Sequence, residues 1–159
     1  MNMSITENGI KGEKLAERLF RRIGLKHFQA DWILNNSKGY VIVEVKNKEK
    51  FVPPPFYGHG LDIRQINARL KFQKLTNIRC LFLVFDKSDH KVYYRWLDKL
   101  DSGKCFESKR WWAEHATIRI YPIKSYKRMK LDTKGFSKLL NYIEKGTFKL
   151  IDIKKNNEV

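Results

Sequence analysis

The stretch DWILNNSKGYVIVEVK, residues 31–46, decides the fold of this chain. Apolar and polar residues alternate over residues 27–34 and again over residues 40–47, and this period of two is typical of β-strands. The sequence NNSKG between the two stretches is rich in turn-forming residues. The pattern therefore predicts a β-hairpin.

The pairing of the two strands follows from the length of the turn. A hairpin that closes symmetrically around a four-residue loop, 36–39, pairs residues whose numbers add up to 75. Ile33 then faces Ile42, and Asp31 faces Glu44. Directly facing Cβ atoms lie about 4.5–5.5 Å apart, so two like charges at this position destabilise the sheet.

A divalent cation between Asp31 and Glu44 would convert this repulsion into coordination. Hard oxygen ligands suit Mg²⁺, with Mn²⁺ as a substitute, and Mg²⁺ also binds the phosphate oxygens of substrates. Because side chains alternate along a strand, Lys46 shares a face with Glu44. The opposite face carries three valines, Val41, Val43 and Val45. An ammonium group beside two carboxylates can orient an attacking water and stabilise charge that develops on phosphate.

The Glu-x-Lys tripeptide has little weight by itself. Chance gives roughly one such tripeptide in a chain of this composition, and ESK at 107–109 is a second copy without the flanking strand pattern. The alternative is that Glu44 and Lys46 form an ordinary ion pair and that Asp31 is a charge at a strand edge. Spacing, strand context and hairpin register together favour the metal site.

The composition indicates a polyanionic partner. The chain has 159 residues, with 33 Lys and Arg against 17 Asp and Glu, and the formal net charge of +16 favours nucleic acid. Its longest apolar run, residues 80–85, is too short to span a membrane, so no membrane partner is expected. A polar N-terminus and two cysteines without a CxxC pair predict a cytoplasmic protein.

The remaining periodicities predict a mixed α/β domain with the order α-β-β-α-β-β, a central mixed β-sheet flanked by helices, and a C-terminal helix. We expect one domain over residues 1–159, with a core of about residues 11–100 and a basic, aromatic extension over 101–159 packed on it. The expected elements are a helix over 12–23, strands over 27–34 and 40–47, a loop over 48–60, a helix over 61–76, strands over 78–85, 91–97 and 117–123, and a helix over 133–145.

Basic and aromatic residues are interleaved in the segment 104–130, which suits phosphate contacts together with base stacking. The alternative is that Tyr121 and one tryptophan of this segment lie in the core. His59, in the loop PPPFYGHGL, is expected either to contact substrate or to belong to a structural turn. The residues expected to bind DNA are Arg64, Arg69, Lys71, Lys109, Arg110, Trp111, Lys127 and Arg128.

The chain resembles the PD-(D/E)xK nuclease superfamily, which has a restriction-endonuclease-like fold. The match consists of Asp31 followed, after twelve residues, by EVK at 44–46 at the end of a valine-rich strand. The segment KGEKLAERLFRRIG, residues 11–24, is similar to the helix that precedes this core in small Holliday-junction resolvases. The resemblance covers roughly residues 11–86 and departs from the family pattern in having Ala30 in place of the name-giving proline.

This resemblance implies a Mg²⁺-dependent DNA endonuclease that hydrolyses phosphodiester bonds, with branched DNA such as a four-way (Holliday) junction as the first expectation. A homodimer and a bacterial, archaeal or phage-infected host cell are implied on the same ground. The alternative is a non-catalytic nucleic-acid-binding protein that keeps the fold. The residues implied for the site are Asp31, Glu44 and the Val45 carbonyl as metal ligands, Lys46 and Gln65 at the phosphate, and either Glu13 or Glu17 to complete the site.

Overall fold

The computed structural model describes residues 14–16, 18–19, 21–24, 30–109 and 117–149. The described N-terminal residues are helical up to residue 22, and Gly24 follows with φ +73°, the left-handed conformation that commonly ends a helix. The helix expected over 12–23 is therefore confirmed where it is described. Four predicted site residues lie outside the described residues, namely Glu13, Glu17, Arg110 and Trp111.

The described part of the chain contains eight strands, β1 (Trp32–Asn36), β2 (Gly39–Lys48), β3 (Gly58–Asp62), β4 (Arg79–Asp86), β5 (Lys91–Trp96), β6 (Phe106–Lys109), β7 (Thr117–Pro122) and β8 (Lys127–Met129). The central sheet has the order β1-β2-β4-β5-β8, in which β2 and β4 are parallel and the other neighbours are antiparallel. A smaller antiparallel sheet has the order β3-β7-β6. The predicted α/β class, with a mixed central sheet flanked by helices, is confirmed.

Besides the N-terminal helical residues, the described part contains three helices and a 3₁₀ turn, namely α1 (Ile63–Thr76), α2 (Leu97–Asp101), the 3₁₀ turn (Ile123–Ser125) and α3 (Thr133–Gly146), which follows the last strand. The helix α1 begins where the Asp62 side chain accepts a hydrogen bond from the Arg64 N–H at 2.8 Å, and it ends at Asn77 in the left-handed conformation. It belongs to the crossover that a parallel β2–β4 pair requires. Within the described ranges, no helix is long and apolar enough to cross a membrane.

The register of the first hairpin is the predicted one. Trp32 pairs with Val43 and Ile33 pairs with Ile42, so the numbers of paired residues add up to 75. The turn is tighter than expected, because the ladder continues to a pair between Asn36 and Gly39. The Asn36 side chain accepts hydrogen bonds from the N–H groups of Lys38 and Gly39, at 2.9 and 3.3 Å, which stabilises this turn.

The two faces of β2 belong to two separate hydrophobic cores, as the alternation predicts. The first core contains Ile42 and lies between the central sheet, α1, α2 and the smaller sheet. Its other buried residues are Leu61, Ile66, Cys80, Phe82, Val84, Tyr93, Leu97, Leu100, Tyr121 and Tyr126. The second core lies between the central sheet and α3. Its buried residues are Val41, Val43, Leu81, Leu83, Val92, Tyr94, Trp96, Met129 and Ile143.

The smaller sheet contradicts the prediction of a loop up to residue 60, because β3 begins at Gly58. The glycines of the GHG sequence are required by the close approach of β7. A Cβ atom at Gly58 would lie 2.2 Å from the Tyr121 carbonyl oxygen, and one at Gly60 would lie 2.2 Å from that of Arg119. These glycines lie in a strand, and tertiary packing is the reason for their presence.

Several other predicted elements are confirmed, with boundaries that differ by a few residues. They are the helices over 61–76 and 133–145 and the strands over 40–47, 78–85, 91–97 and 117–123. The first hairpin strand is shifted, because β1 spans Trp32–Asn36 instead of residues 27–34, and residues 25–29 lie outside the described part. The short elements α2, β6 and β8 were not predicted, because three to five residues are too few to show a period.

Candidate active site

Asp31 immediately precedes β1 and bonds to the neighbouring strand through its side chain. Its Oδ2 atom accepts a hydrogen bond from the Val45 N–H at 2.8 Å. The N–H and C=O groups of one strand residue point to the same neighbour, so the Val45 carbonyl is directed to this same edge of β2. The register places Asp31 opposite Glu44, one pair beyond the first pair of the ladder.

Glu44 is buried, with 1% of its surface exposed, and α1 supplies its partners. Arg69 donates to the Oε2 atom of Glu44 from both Nε and Nη2, at 3.1 and 3.0 Å. The Gln65 amide nitrogen lies 3.4 Å from the other oxygen, Oε1. Because Gln65 and Arg69 are four residues apart, both side chains lie on one face of α1 and contact the same carboxylate.

Lys46 lies next to Glu44 along the same face of β2. Its Nζ atom is 3.6 Å from the Oε1 atom of Glu44, and 32% of its side chain is exposed. Asp31 is exposed as well. The site is therefore open to solvent on the side of Asp31 and Lys46, and closed on the side where α1 covers Glu44.

The donor chemistry of this site fits a hard divalent cation. Carboxylate oxygens of Asp31 and Glu44 and the carbonyl of Val45 are the ligands that Mg²⁺ prefers, and two carboxylates suffice for an ion that keeps several waters. The described residues include no group of three or more His, Cys, Asp or Glu side chains that could hold a metal. Of the two Glu44 oxygens, Oε2 is engaged by Arg69, and Oε1 has only longer contacts.

A thiol nucleophile does not belong to this site. Cys80 pairs with Ile42 in the central sheet, and the charges of Arg69 and Glu44 act on the pKa of its thiol in opposite directions. It is completely buried, and burial raises the pKa of its thiol to about 12. The thiolate form that would attack an electrophile is therefore absent at neutral pH.

His59 lies in a second polar cluster, in the core of the protein. It is completely buried, and its Nε2 atom is 2.8 Å from the Oδ2 atom of Asp86. Burial lowers the pKa of His59, while Asp86 acts in the opposite direction. Burial tends to raise the pKa of Asp86, but hydrogen bonds from Ser88 and His59 outweigh it and bring the value to about 2. His59 has no exposed surface through which to contact a substrate, so that expectation is wrong, and its role is structural within strand β3 instead of within a turn.

The basic residues predicted on α1 differ in their exposure. Lys71 is exposed, and Arg64 is exposed while it pairs with Asp62 at 2.9 Å. Arg69 was expected to follow the nucleic-acid backbone, and this expectation is wrong because only 7% of its surface is exposed. Its guanidinium is held by Glu44 instead.

The basic and aromatic residues after residue 100 also differ in their exposure. Lys109 is exposed on β6, whereas Tyr121 and Tyr126 are buried, so neither ring of these two can stack on bases. Lys127 pairs with Tyr94 of the second core, and Arg128 pairs with Tyr93 of the first core. Successive side chains on β8 therefore point to opposite faces of the sheet, and Lys127 lies on the face away from Glu44.

The role of Arg69 was missed from the sequence, although a signal was present. Gln65 and Arg69 have the i, i+4 spacing that brings two side chains to one helix face. Because the resemblance implies that Gln65 lies at the site, its neighbour on that helix face is a candidate for the same surroundings. What the sequence lacks is any indication of the depth at which this face is buried.

Comparison with known proteins gives similarities at the level of structure. No protein-family model matches the sequence, and no curated protein matches it. Among solved structures, the chain is similar to Hjc, a Holliday junction resolvase from the archaeal hyperthermophile Archaeoglobus fulgidus, with 10% identity and a TM-score of 0.42 over 76% of this chain and 92% of the resolvase. It is also similar to D212, a nuclease from a fusselovirus, with 11% identity and a TM-score of 0.37 over 80% of this chain and 89% of the nuclease.

Because both TM-scores are below 0.5, the function is inferred from the geometry of the chain's own residues and not from these similarities.

Proposed function

We propose that this protein is a metal-dependent endonuclease that hydrolyses phosphodiester bonds in DNA, with branched DNA as its first candidate substrate. The observation that supports this most is the Asp31–Val45 hydrogen bond at 2.8 Å, which brings the Asp31 carboxylate to the part of β2 that carries Glu44 and Lys46. The net charge of +16 supports a polyanionic substrate. Two cuts in branched DNA need two sites, so we also propose a homodimer.

In this proposal, Asp31, Glu44 and the Val45 carbonyl would hold one Mg²⁺ or Mn²⁺ ion. The ion would supply Lewis-acid stabilisation of the negative charge on the phosphate. Glu13 or Glu17 would complete the site through the N-terminal helix. Arg69 holds Glu44 in place, because two hydrogen bonds to one oxygen fix the orientation of the carboxylate.

Lys46 and Gln65 act on the reacting groups. Lys46 is partly exposed beside Glu44, so its ammonium can orient the attacking water and stabilise charge on the phosphate oxygens. Gln65 can donate its amide to water or to a phosphate oxygen, since its contact with Glu44 is long at 3.4 Å. The water oxygen would form a bond to phosphorus as the water gives up one proton to solvent, while the bond to the leaving sugar oxygen breaks and that oxygen takes up a proton from solvent.

The test compares DNA substrates, metal ions and matched variants. The protein is incubated with labelled linear duplex, single-stranded and four-way-junction DNA in Mg²⁺, in Mn²⁺ and in EDTA, and with RNA in a parallel series. Metal-dependent cleavage that is lost in Asp31→Ala and kept in Glu107→Ala would support the proposal. Glu107 is a suitable control because it belongs to the second Glu-x-Lys tripeptide, pairs with Arg119 across the β6–β7 strand pair and has 48% of its side chain exposed.

One observation favours a second function, a nucleic-acid-binding protein without catalysis. Arg69 already neutralises Glu44, and the two carboxylates near β2 are matched by the two cations Arg69 and Lys46. A site in this state can be stable without an ion. DNA binding without product in either metal, at concentrations where the DNA is saturated, would favour this alternative over the nuclease.

A further inference from the structure

We propose that Arg69 is a positioning residue that acts as the resident counter-cation of Glu44, so that Arg69 and a divalent cation compete for the charge of one carboxylate. The inference rests on the proposed function, since it concerns the metal ion of that site. It assigns a role to a residue that the sequence placed on the DNA-binding surface. The consequence is a site in which Arg69 sets how tightly the ion binds.

The geometry of the pair is the first support. Both donors of Arg69, Nε and Nη2, bond to the same oxygen of Glu44, and 7% of Arg69 and 1% of Glu44 are exposed. The guanidinium therefore cannot move into solvent without opening the contact between α1 and the sheet. Its charge remains beside the carboxylate whether or not an ion is present.

The local charge balance is the second support. Asp31 and Glu44 contribute two negative charges, and Arg69 and Lys46 contribute two positive charges. Lys46 is partly exposed and can turn toward solvent or substrate, whereas Arg69 cannot. A divalent cation that approaches Glu44 is thus repelled by a fixed positive charge at short range, where Coulomb interactions are weakly screened.

A matched pair elsewhere in the fold separates this role from plain stabilisation. Arg79 is also 7% exposed and donates to the Asp98 carboxylate, with Nη2 3.1 Å from Oδ2. Its guanidinium stacks on the ring of Trp96, 4.6 Å from the centroid, in contact with the second core. Arg79 is therefore an arginine as buried as Arg69 that pairs with a carboxylate, although Asp98 is 27% exposed, and it lies on the face of the sheet away from Glu44.

The experiment measures Mn²⁺ affinity of the full chain by isothermal titration calorimetry and by water-proton relaxation, without DNA. Arg69→Gln removes the charge, and we expect Mn²⁺ to bind on the order of tenfold more tightly than to the native protein. Arg69→Lys keeps the charge, and we expect an affinity within about threefold of the native value. Arg79→Gln should leave the Mn²⁺ affinity unchanged.

Thermal unfolding gives a readout that does not depend on activity. Arg69→Gln should lower the Tm in EDTA, and saturating Mn²⁺ should raise its Tm by more than it raises that of the native protein, because stabilisation by a ligand increases with the logarithm of its affinity. Arg79→Gln should lower the Tm equally with and without Mn²⁺. This difference between the two variants is what a purely structural Arg69 would not produce.

The outcomes separate this inference from the proposed function. Equal or weaker Mn²⁺ binding to Arg69→Gln than to the native protein would overturn the inference alone. Failure of Arg69→Gln to fold even in saturating Mn²⁺ would overturn it as well, because the ion could then not replace the guanidinium. Absence of Mn²⁺ binding to the native protein and to both Arg69 variants would overturn the inference together with the metal-dependent part of the proposed function.

Discussion

The Nε2 atom of His59 on β3 lies 2.8 Å from the Oδ2 atom of Asp86 on β4, and this contact joins the smaller sheet to the central sheet. It is reinforced where the Tyr126 hydroxyl donates to the His59 carbonyl at 2.8 Å and where the Lys48 ammonium donates to the Gly60 carbonyl at 2.6 Å. The smaller sheet is thereby fixed over the same face of the central sheet that carries Glu44. The stability of this junction should depend on pH.

The first prediction concerns the titration of His59. Burial lowers the pKa of His59 in the folded protein, so His59 takes up its proton at a higher pH in the unfolded chain than in the folded protein. The contribution of neutral His59 to the free energy of unfolding is therefore lost as the pH falls through the ordinary pKa of 6.5. We expect the free energy of unfolding in urea to fall between about pH 7.5 and about pH 5.5, and to fall less in His59→Gln. Parallel slopes for the native protein and His59→Gln would contradict the prediction.

The second prediction concerns the buried Glu44–Arg69 pair. Glu44→Gln leaves the Arg69 charge uncompensated in the interior, and we expect it to lower the free energy of unfolding by about 3–5 kcal/mol. The double variant Glu44→Leu/Arg69→Met removes both charges and should lose less than the single variant. Urea unfolding at pH 7 measures both. Glu107→Gln breaks a pair whose carboxylate is 48% exposed, and it should cost less than about 1 kcal/mol.

The third prediction concerns the close approach of β3 to β7. The Cβ atom of Gly60→Ala would lie 2.2 Å from the Arg119 carbonyl oxygen, and we expect a loss of about 1–3 kcal/mol in unfolding free energy because the strands must separate. Gly103→Ala is the control, because its nearest neighbour is the Leu100 carbonyl oxygen at 3.5 Å, an ordinary contact. Similar stabilities of the two variants would show that β3 does not pack on β7 in this way.

The fourth prediction concerns the face that binds DNA. Lys71 is exposed on α1, the helix that supplies Gln65 and Arg69 to the site, whereas Lys127 lies on the opposite face with its Nζ atom 5.8 Å from the centroid of the Tyr142 ring. We expect Lys71→Ala to reduce the slope of log affinity against log salt by about 1, and Lys127→Ala to leave it unchanged. Fluorescence anisotropy with labelled DNA over a range of KCl concentrations measures the slope. A reduced slope for Lys127→Ala alone would place the DNA on the α3 side.

The hairpin shows what local sequence is sufficient to predict. Alternation over residues 40–47 and a turn with Asn and Gly fixed the register, because a slip of one residue would move every valine to the wrong face. The helix α1 was located by its period, and the Asp62 cap refined its start by two residues. These features depend on neighbours close in sequence.

The smaller sheet and the surroundings of Glu44 show what the sequence leaves open. The GHG sequence has the composition of a turn, and only the approach of β7, about sixty residues later, makes Gly58 and Gly60 strand residues. The contact of Arg69 with Glu44 joins residues 25 positions apart.

The sequence by itself determined the hairpin register, the alternation that places Glu44 and Lys46 on one face, and the positive charge. Only the tertiary structure decided that Glu44 is buried, that Arg69 neutralises it and that Lys127 lies on the far face. The periodicity of a helix or strand specifies the face of that element on which a side chain lies. The packing of one element on another decides whether that direction leads to solvent or to an opposite charge.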